Sequence, residues 1–191
     1  MSYEVLYYPY FDDFTDKVYY SQLRNESIKD LCLSGTGQSF NHTLAGDIQN
    51  EFQVVSEEAL KAVTEELYHH MDILYPNRIQ SLDIEKDLWI NYQKAGEFNP
   101  CHNHKGIYSF VFYASVPEEI RQEHLNSYSG NTQKRGLIEF HSARTNDFID
   151  LNPKENDILV FENSHIHQVY PFYSNNTRIS IAGNIRHIEW I

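Results

Sequence analysis

Cysteine is scarce: Cys32 and Cys101 are the only two in 191 residues. Two thiols cannot make a disulfide framework, and this usage fits a reducing cytosol, so a cytoplasmic location is expected. Positive charge is scarce too. The chain has 15 Lys and Arg against 27 Asp and Glu, a formal net charge of −12. Gripping a phosphate backbone regardless of sequence needs cations that displace counterions, and docking on anionic lipid needs the same sign. Neither a nucleic acid nor a membrane is therefore expected as a partner. Long apolar runs are missing as well. No stretch approaches the ~20 residues of a membrane helix. Met1-Ser2-Tyr3-Glu4 has neither the basic start nor the apolar centre of a signal peptide. Gly35-Thr36-Gly37-Gln38-Ser39 lacks the lysine and the flanking strand and helix of a phosphate loop, and reads as a turn.

What the chain does have is aromatic and strand-forming. Fourteen Tyr, 11 Phe and a hydrophobic share of 41 % favour a globular, strand-rich fold. Residues 3–11 read as a strand stopped by Pro9, and residues 16–32 as a helix. The clearest helix is 56–75. Ser56 is a good N-cap, Glu57 and Glu58 suit the positive end of the dipole, and Leu60, Val63, Leu67, Met71 and Leu74 form one stripe before Pro76. His69 and His70 diverge by about 100° on that helix and make a poor joint ligand pair. From residue 82 the pattern becomes short runs of Ile, Val, Phe and Tyr between turn signals, at 86–93, 107–115, 136–141, 157–162, 166–171 and 177–185. Strands at this density predict an antiparallel sandwich or barrel. The polar segment 117–135 reads as a long excursion able to cover a site. The chain is expected to be a single domain over 1–191, with helical N-terminal support over about 1–80 and a jelly-roll core over about 82–191.

The chemistry-bearing residues lie in that second part. Asn99-Pro100-Cys101-His102-Asn103-His104 follows the strand-like Leu88-Trp89-Ile90-Asn91-Tyr92. In an extended strand, residues two apart share a face, so His102 and His104 can point at one centre, with Cys101 pointing away as a buried small residue. Imidazole suits iron, zinc and copper. A second segment, Ser164-His165-Ile166-His167-Gln168-Val169-Tyr170-Pro171, precedes Arg178-Ile179-Ser180. Arg178 and Ser180 share a face by the same rule, and a guanidinium beside a hydroxyl suits a carboxylate.

Taken together, these segments resemble the Fe(II)/2-oxoglutarate-dependent oxygenases, whose pattern is His-x-Asp/Glu, a distal His, and Arg-x-Ser about ten residues later. They resemble most the 2-oxoglutarate/Fe(II) oxygenase family of bacteria and phages, through His102-Asn103-His104, Tyr108-Ser109-Phe110-Val111-Phe112-Tyr113 and Phe161 to Pro171. The similarity covers about residues 88–186. It implies a mainly β fold with flanking helices, a double-stranded β-helix of jelly-roll or cupin-like form with a helical N-terminal part. It also implies Fe(II) as cofactor, 2-oxoglutarate as co-substrate, and hydroxylation with release of succinate and CO2. By the resemblance His167 is the distal ligand, in preference to His165. Arg178 and Ser180 hold the distal carboxylate of 2-oxoglutarate, and Tyr92 is the co-substrate tyrosine. The substrate is a small molecule or a protein side chain, and the oligomeric state is open.

The departure from the pattern is His104, which stands where a carboxylate is usual. Three readings follow. His104 is the third ligand; or Glu139, on Gly136-Leu137-Ile138-Glu139-Phe140, reaches in from another strand; or His104 is the first ligand and Gly106 stands at the acid position, as in halogenase-type sites. Two other functions compete. One is a non-catalytic or zinc-filled jelly-roll binding or structural module. The other is a three-histidine iron dioxygenase that does not use 2-oxoglutarate.

Overall fold

A computed structural model describes residues 4–7, 17–41, 44–84, 87–125, 134–142 and 147–191. In chain order the elements are β1 (Glu4–Tyr7), β2 (Lys17–Gln22), α1 (Ser27–Ser34), β3 (Thr36–Ser39), β4 (Glu51–Val54), α2 (Glu57–Leu74), β5 (Ile79–Asp83), β6 (Leu88–Gln93), β7 (Asn99–His102), β8 (Tyr108–Ser115), α3 (Glu118–Leu125), β9 (Ile138–His141), β10 (Phe148–Leu151), β11 (Asp157–Glu162), β12 (Ile166–Val169), β13 (Arg178–Ile185) and β14 (His187–Trp190). The main sheet has eight strands in the order β1-β2-β11-β8-β13-β6-β4-β3. A smaller sheet runs β10-β9-β12-β7, and β14 pairs with β5 apart from both. Strand pairing in the two facing sheets is antiparallel, as the strand density predicts. This is the double-stranded β-helix with flanking helices.

Two apolar clusters lie on opposite faces of the main sheet. One sits under the helices, where Val63, Leu67 and Met71 of α2 meet Ile90, Phe110, Phe112 and Ile181. Each such side chain contributes roughly 1.5–3 kcal/mol by leaving water. The helix forms where the stripe places it: the Ser56 hydroxyl accepts from the Ala59 amide at 3.2 Å, and Pro76 follows the C-cap Tyr75. The other cluster fills the space between the two sheets, with Val111, Tyr113, Leu159 and Phe161 against Ile138 and Phe140.

Three expectations need correction. Residues 16–32 are not one helix; they contain β2 and then α1. The reason is that β2 is covered on both faces. Val18 joins the inter-sheet cluster and Tyr19 the helix-side cluster, so the period-2 signal is lost. The Thr36–Ser39 stretch is strand β3 rather than a turn, paired at the sheet margin to β4. The excursion 117–135 begins with α3, while its residues 126–133 lie outside the described residues, as do residues 8–11 of the first expected strand.

Candidate metal and co-substrate site

Between the sheets lies a cavity lined by both of them, and it contains His102, His104, His167, Arg178 and Ser180. The histidines arrive by register. His102 on β7 stands directly across from His167 on β12. His104 follows β7, fixed by its backbone N–H, which donates to the Asn163 carbonyl at 3.0 Å. One ring nitrogen from each of the three lies within 4.8 Å of the others.

The free ring atoms suit a metal. His102 Nδ1 is 2.7 Å from the Pro100 carbonyl, and His167 Nδ1 is 3.1 Å from the His165 carbonyl. A carbonyl can only accept, so each Nδ1 carries the proton and each Nε2 keeps its lone pair, the arrangement by which outer partners orient metal-binding imidazoles. Burial lowers the pKa of all three. His104 falls to about 4, helped by the charges of His102 and Arg186. In His167 burial acts first, and the charges of His102 and His104 add to it. Neutral imidazoles clustered without counterions are the state a metal requires of its ligands.

The far side of the cavity is built for an anion. Arg178 is 2 % exposed, which makes it one of the largest fully buried side chains. Its Nε and Nη2 donate to Gln93 Oε1 at 3.1 and 2.6 Å, and Nη1 donates to the Gly136 carbonyl. Gly136 turns at φ +72, and a Cβ there would meet Ile120 at 3.1 Å, so glycine is what lets this carbonyl reach the guanidinium. Among the described residues no carboxylate pairs with Arg178. A buried guanidinium without an acid is an uncompensated charge, costly unless an anion arrives. Ser180 lies beside it, its Oγ accepting from Asn91 Nδ2 at 3.2 Å.

Some expected site residues lie elsewhere. Glu139 is on β9 between Ile138 and Phe140, so it faces away from the cavity. There it accepts from Lys134 and from Gln168 Nε2 at 2.6 Å, and its Oε1 is 2.7 Å from His141 Nε2. It is not placed to complete the histidine cluster. Tyr92 is also turned away. Trp89, Asn91 and Gln93 of β6 line the cavity, whereas Tyr92 packs into the helix-side cluster, edge-on to Phe52. A co-substrate role for it does not fit that placement. His165 is buried against Phe140, outside the cluster of three. Gly106 is turned at φ +126 beside Asn163, while His102 itself occupies the cluster. Cys101 does point away from the histidines, but it is exposed, about 4 Å from the His141 ring.

Sequence reasoning missed Tyr113. It lies opposite Ser180 in the β8–β13 register, lines the cavity, and has the Arg178 guanidinium 5.9 Å from its ring centre. Burial pushes its phenol up to about 12, against the charge of Arg178 and with a smaller push from that of Asp157. It therefore stays protonated and can donate. The signal was available: Ser109, Val111 and Tyr113 alternate along one strand and share one face.

Comparison with known proteins gives a family and a fold. The model of the family described as "Putative 2OG-Fe(II) oxygenase" matches residues 87–184, just over half of the chain. No curated protein sequence matches it. Among solved structures, a prolyl-4-hydroxylase from Pseudomonas putida is similar with a TM-score of 0.53 at 16 % identity, over 88 % of this chain and 92 % of that one. A prolyl hydroxylase from Trichoplax adhaerens, in complex with a hypoxia inducible factor peptide fragment, gives 0.52 at 13 % identity, over 88 % and 82 %. An oxidoreductase of the 2OG-Fe(II) oxygenase family from Burkholderia pseudomallei gives 0.50 at 14 % identity, over 98 % and 75 %. At these identities the structural likeness concerns the fold.

Proposed function

The chain belongs to the 2OG-Fe(II) oxygenase family, and from that premise we propose that His102, His104 and His167 hold its Fe(II) while Arg178 and Ser180 hold its 2-oxoglutarate. The protein is an Fe(II)- and 2-oxoglutarate-dependent dioxygenase. The observation that carries the site assignment is Arg178: a buried guanidinium with no acid partner among the described residues, on the wall of the same cavity as three neutral imidazoles. A dianionic co-substrate supplies the missing charge. A zinc-filled module, or a three-histidine dioxygenase working without 2-oxoglutarate, leaves that charge with no anion.

Bound iron supplies O2 activation, the part of the chemistry no side chain here can perform. The chain's own residues do the rest. The Pro100 and His165 carbonyls keep Nε2 of His102 and His167 facing inward. Gln93 and Gly136 hold the Arg178 fork in place. Tyr113 donates to the co-substrate from beside it, in the role that the family resemblance implies for Tyr92. Phe161, stacked edge-on to His167 at 4.8 Å, helps exclude water from the ligand set. Residues 1–191 act as one oxygenase domain, since β2, β3 and β4 join the sheet that carries Arg178. The substrate is a small molecule or a peptide side chain, hydroxylated as succinate and CO2 leave.

The test is the visible absorption of the anaerobic Fe(II)–2-oxoglutarate complex, with succinate release measured on admission of O2. Wild-type protein shows both, and His104→Ala shows neither. A normal iron titre in His104→Ala overturns the three-histidine site.

A further inference from the structure

The cavity has two ends of opposite character. Around Arg178 it offers donors. On the other wall it offers acceptors, and these lack hydrogen-bond partners among the described residues. In the strand register Ser180 stands opposite Asn91, and Asn91 opposite Glu51, so the three form one row across the main sheet, of which Ser180 and Asn91 line the cavity and Glu51 is buried behind them. Asn91 donates its amide N–H to Ser180, which leaves its Oδ1 buried without a hydrogen bond. Glu51 is 1 % exposed, and its Oε2 is also without one. Asn99, on β7 across the cavity, provides a third buried, unsatisfied oxygen in its Oδ1.

Gly46 brings two of these groups together. A Cβ on that residue would run into Asn99 Oδ1, with Glu51 Oε1 at 3.5 Å. Amide and carboxylate thus both lie against the Gly46 backbone, close to one point. Burial, and then the charge of Glu97, push the Glu51 carboxyl up to about 7. A cation beside it would favour the carboxylate against both. Buried acceptors are normally satisfied, and three together call for a donor. The co-substrate cannot be that donor, because its carboxylates and keto group only accept. Its anionic end is already matched by Arg178.

We propose that the Asn91–Asn99–Glu51 wall is the substrate's head-group subsite and that it takes a protonated amine. The ammonium N–H groups donate to the two amide oxygens, and the Glu51 carboxylate supplies the counter-charge. Trp89, on the same wall, lies along the apolar part of the amine. This inference rests on the oxygenase reading above and names its substrate class.

The experiment is isothermal titration of the full chain, loaded anaerobically with Fe(II) and 2-oxoglutarate, using n-butylammonium, n-butanol and Ca(II) as probes. n-Butylammonium is expected to bind at least tenfold more tightly than n-butanol. Glu51→Gln, and separately Asn99→Ala, should weaken the ammonium at least tenfold while Fe(II) and 2-oxoglutarate affinities stay within about twofold. Equal binding of amine and alcohol by wild type overturns the proposal without needing any variant. So does ammonium binding that Glu51→Gln leaves unchanged, or Ca(II) binding that Glu51→Gln abolishes. In each of those cases retained iron and co-substrate binding leaves the oxygenase site standing. Failure of wild type to bind Fe(II) and 2-oxoglutarate removes the oxygenase site, and this subsite with it.

Discussion

The small sheet carries a polar cluster on each face, and the two are opposites. Inward, His102, His104 and His167 stand together with no carboxylate among them. Outward, Glu139 is saturated by Lys134, His141, Gln168 and the Tyr170 hydroxyl, with Asp150 sharing Lys134 at 3.0 Å. The carboxylate that a two-histidine iron site would use is thus present two strands from His102, but it is committed to the other face. Alternation along β9 decides this, since moving Glu139 inward would move Ile138 and Phe140 out of the core. A full set of partners makes the outer cluster structural. Inward-pointing lone pairs without partners among the described residues make the inner one the candidate site.

The sharpest way to break this contrast is to remove one group from each face. His167→Ala should cut Fe(II) affinity on the order of 100-fold or more, beyond the effect of losing an outer partner. Glu139→Gln should leave iron affinity within about twofold. Anaerobic iron titration of both variants decides it, and the reverse order would make Glu139 the ligand. Next in size is Arg178→Met, which should weaken 2-oxoglutarate by roughly 1.5–3 kcal/mol, the worth of hydrogen bonds to a charged group, with iron retained. A wild-type KM for 2-oxoglutarate in that variant would disprove the clamp.

The outer cluster should instead reveal itself in stability. Burial pushes the Glu139 pKa up, but hydrogen bonds from Lys134, Gln168 and His141 outweigh that and hold it at about 2. A carboxyl whose folded pKa is depressed stabilises the fold above its unfolded pKa of about 4.3. That contribution is lost as pH falls through the folded value. Glu139→Gln should therefore unfold more easily at pH 7, by about 1–3 kcal/mol. The deficit should shrink between about pH 4.5 and pH 2. Denaturant melts at several pH values would show it, and a deficit independent of pH would mean that charge is not the cause. The smallest expected effect is that of Tyr92→Phe. Because its ring packs on the helix side, 2-oxoglutarate KM should change less than about twofold, whereas Tyr113→Phe should raise it several-fold, by loss of one hydrogen bond. Equal effects would return Tyr92 to the co-substrate.

Much of this was legible from residues alone, because it depends on local period. Two-residue spacing put His102 with His104 and Arg178 with Ser180, and a 3.6-residue stripe with its N-cap defined α2. The strand of Leu88–Gln93 was legible too, but not which of its faces met the cavity. The resemblance implies the co-substrate for Tyr92, but β6 is covered on both sides and reads as a nearly continuous buried run, so its period does not choose the face. The β2 segment was lost for the same reason.

The sequence by itself determined which groups could act as pairs, since backbone geometry alone fixes neighbours two residues apart. Tertiary structure alone decided what those pairs met. Cross-strand register brought His167 to His102, Tyr113 to Ser180, and Glu51 to Asn91. Register joins residues such as Gln22 and Asp157, 135 positions apart along the chain, and no local period encodes it. It is set by which apolar faces can be buried together, and a slip of one residue would turn each of these side chains to the opposite face.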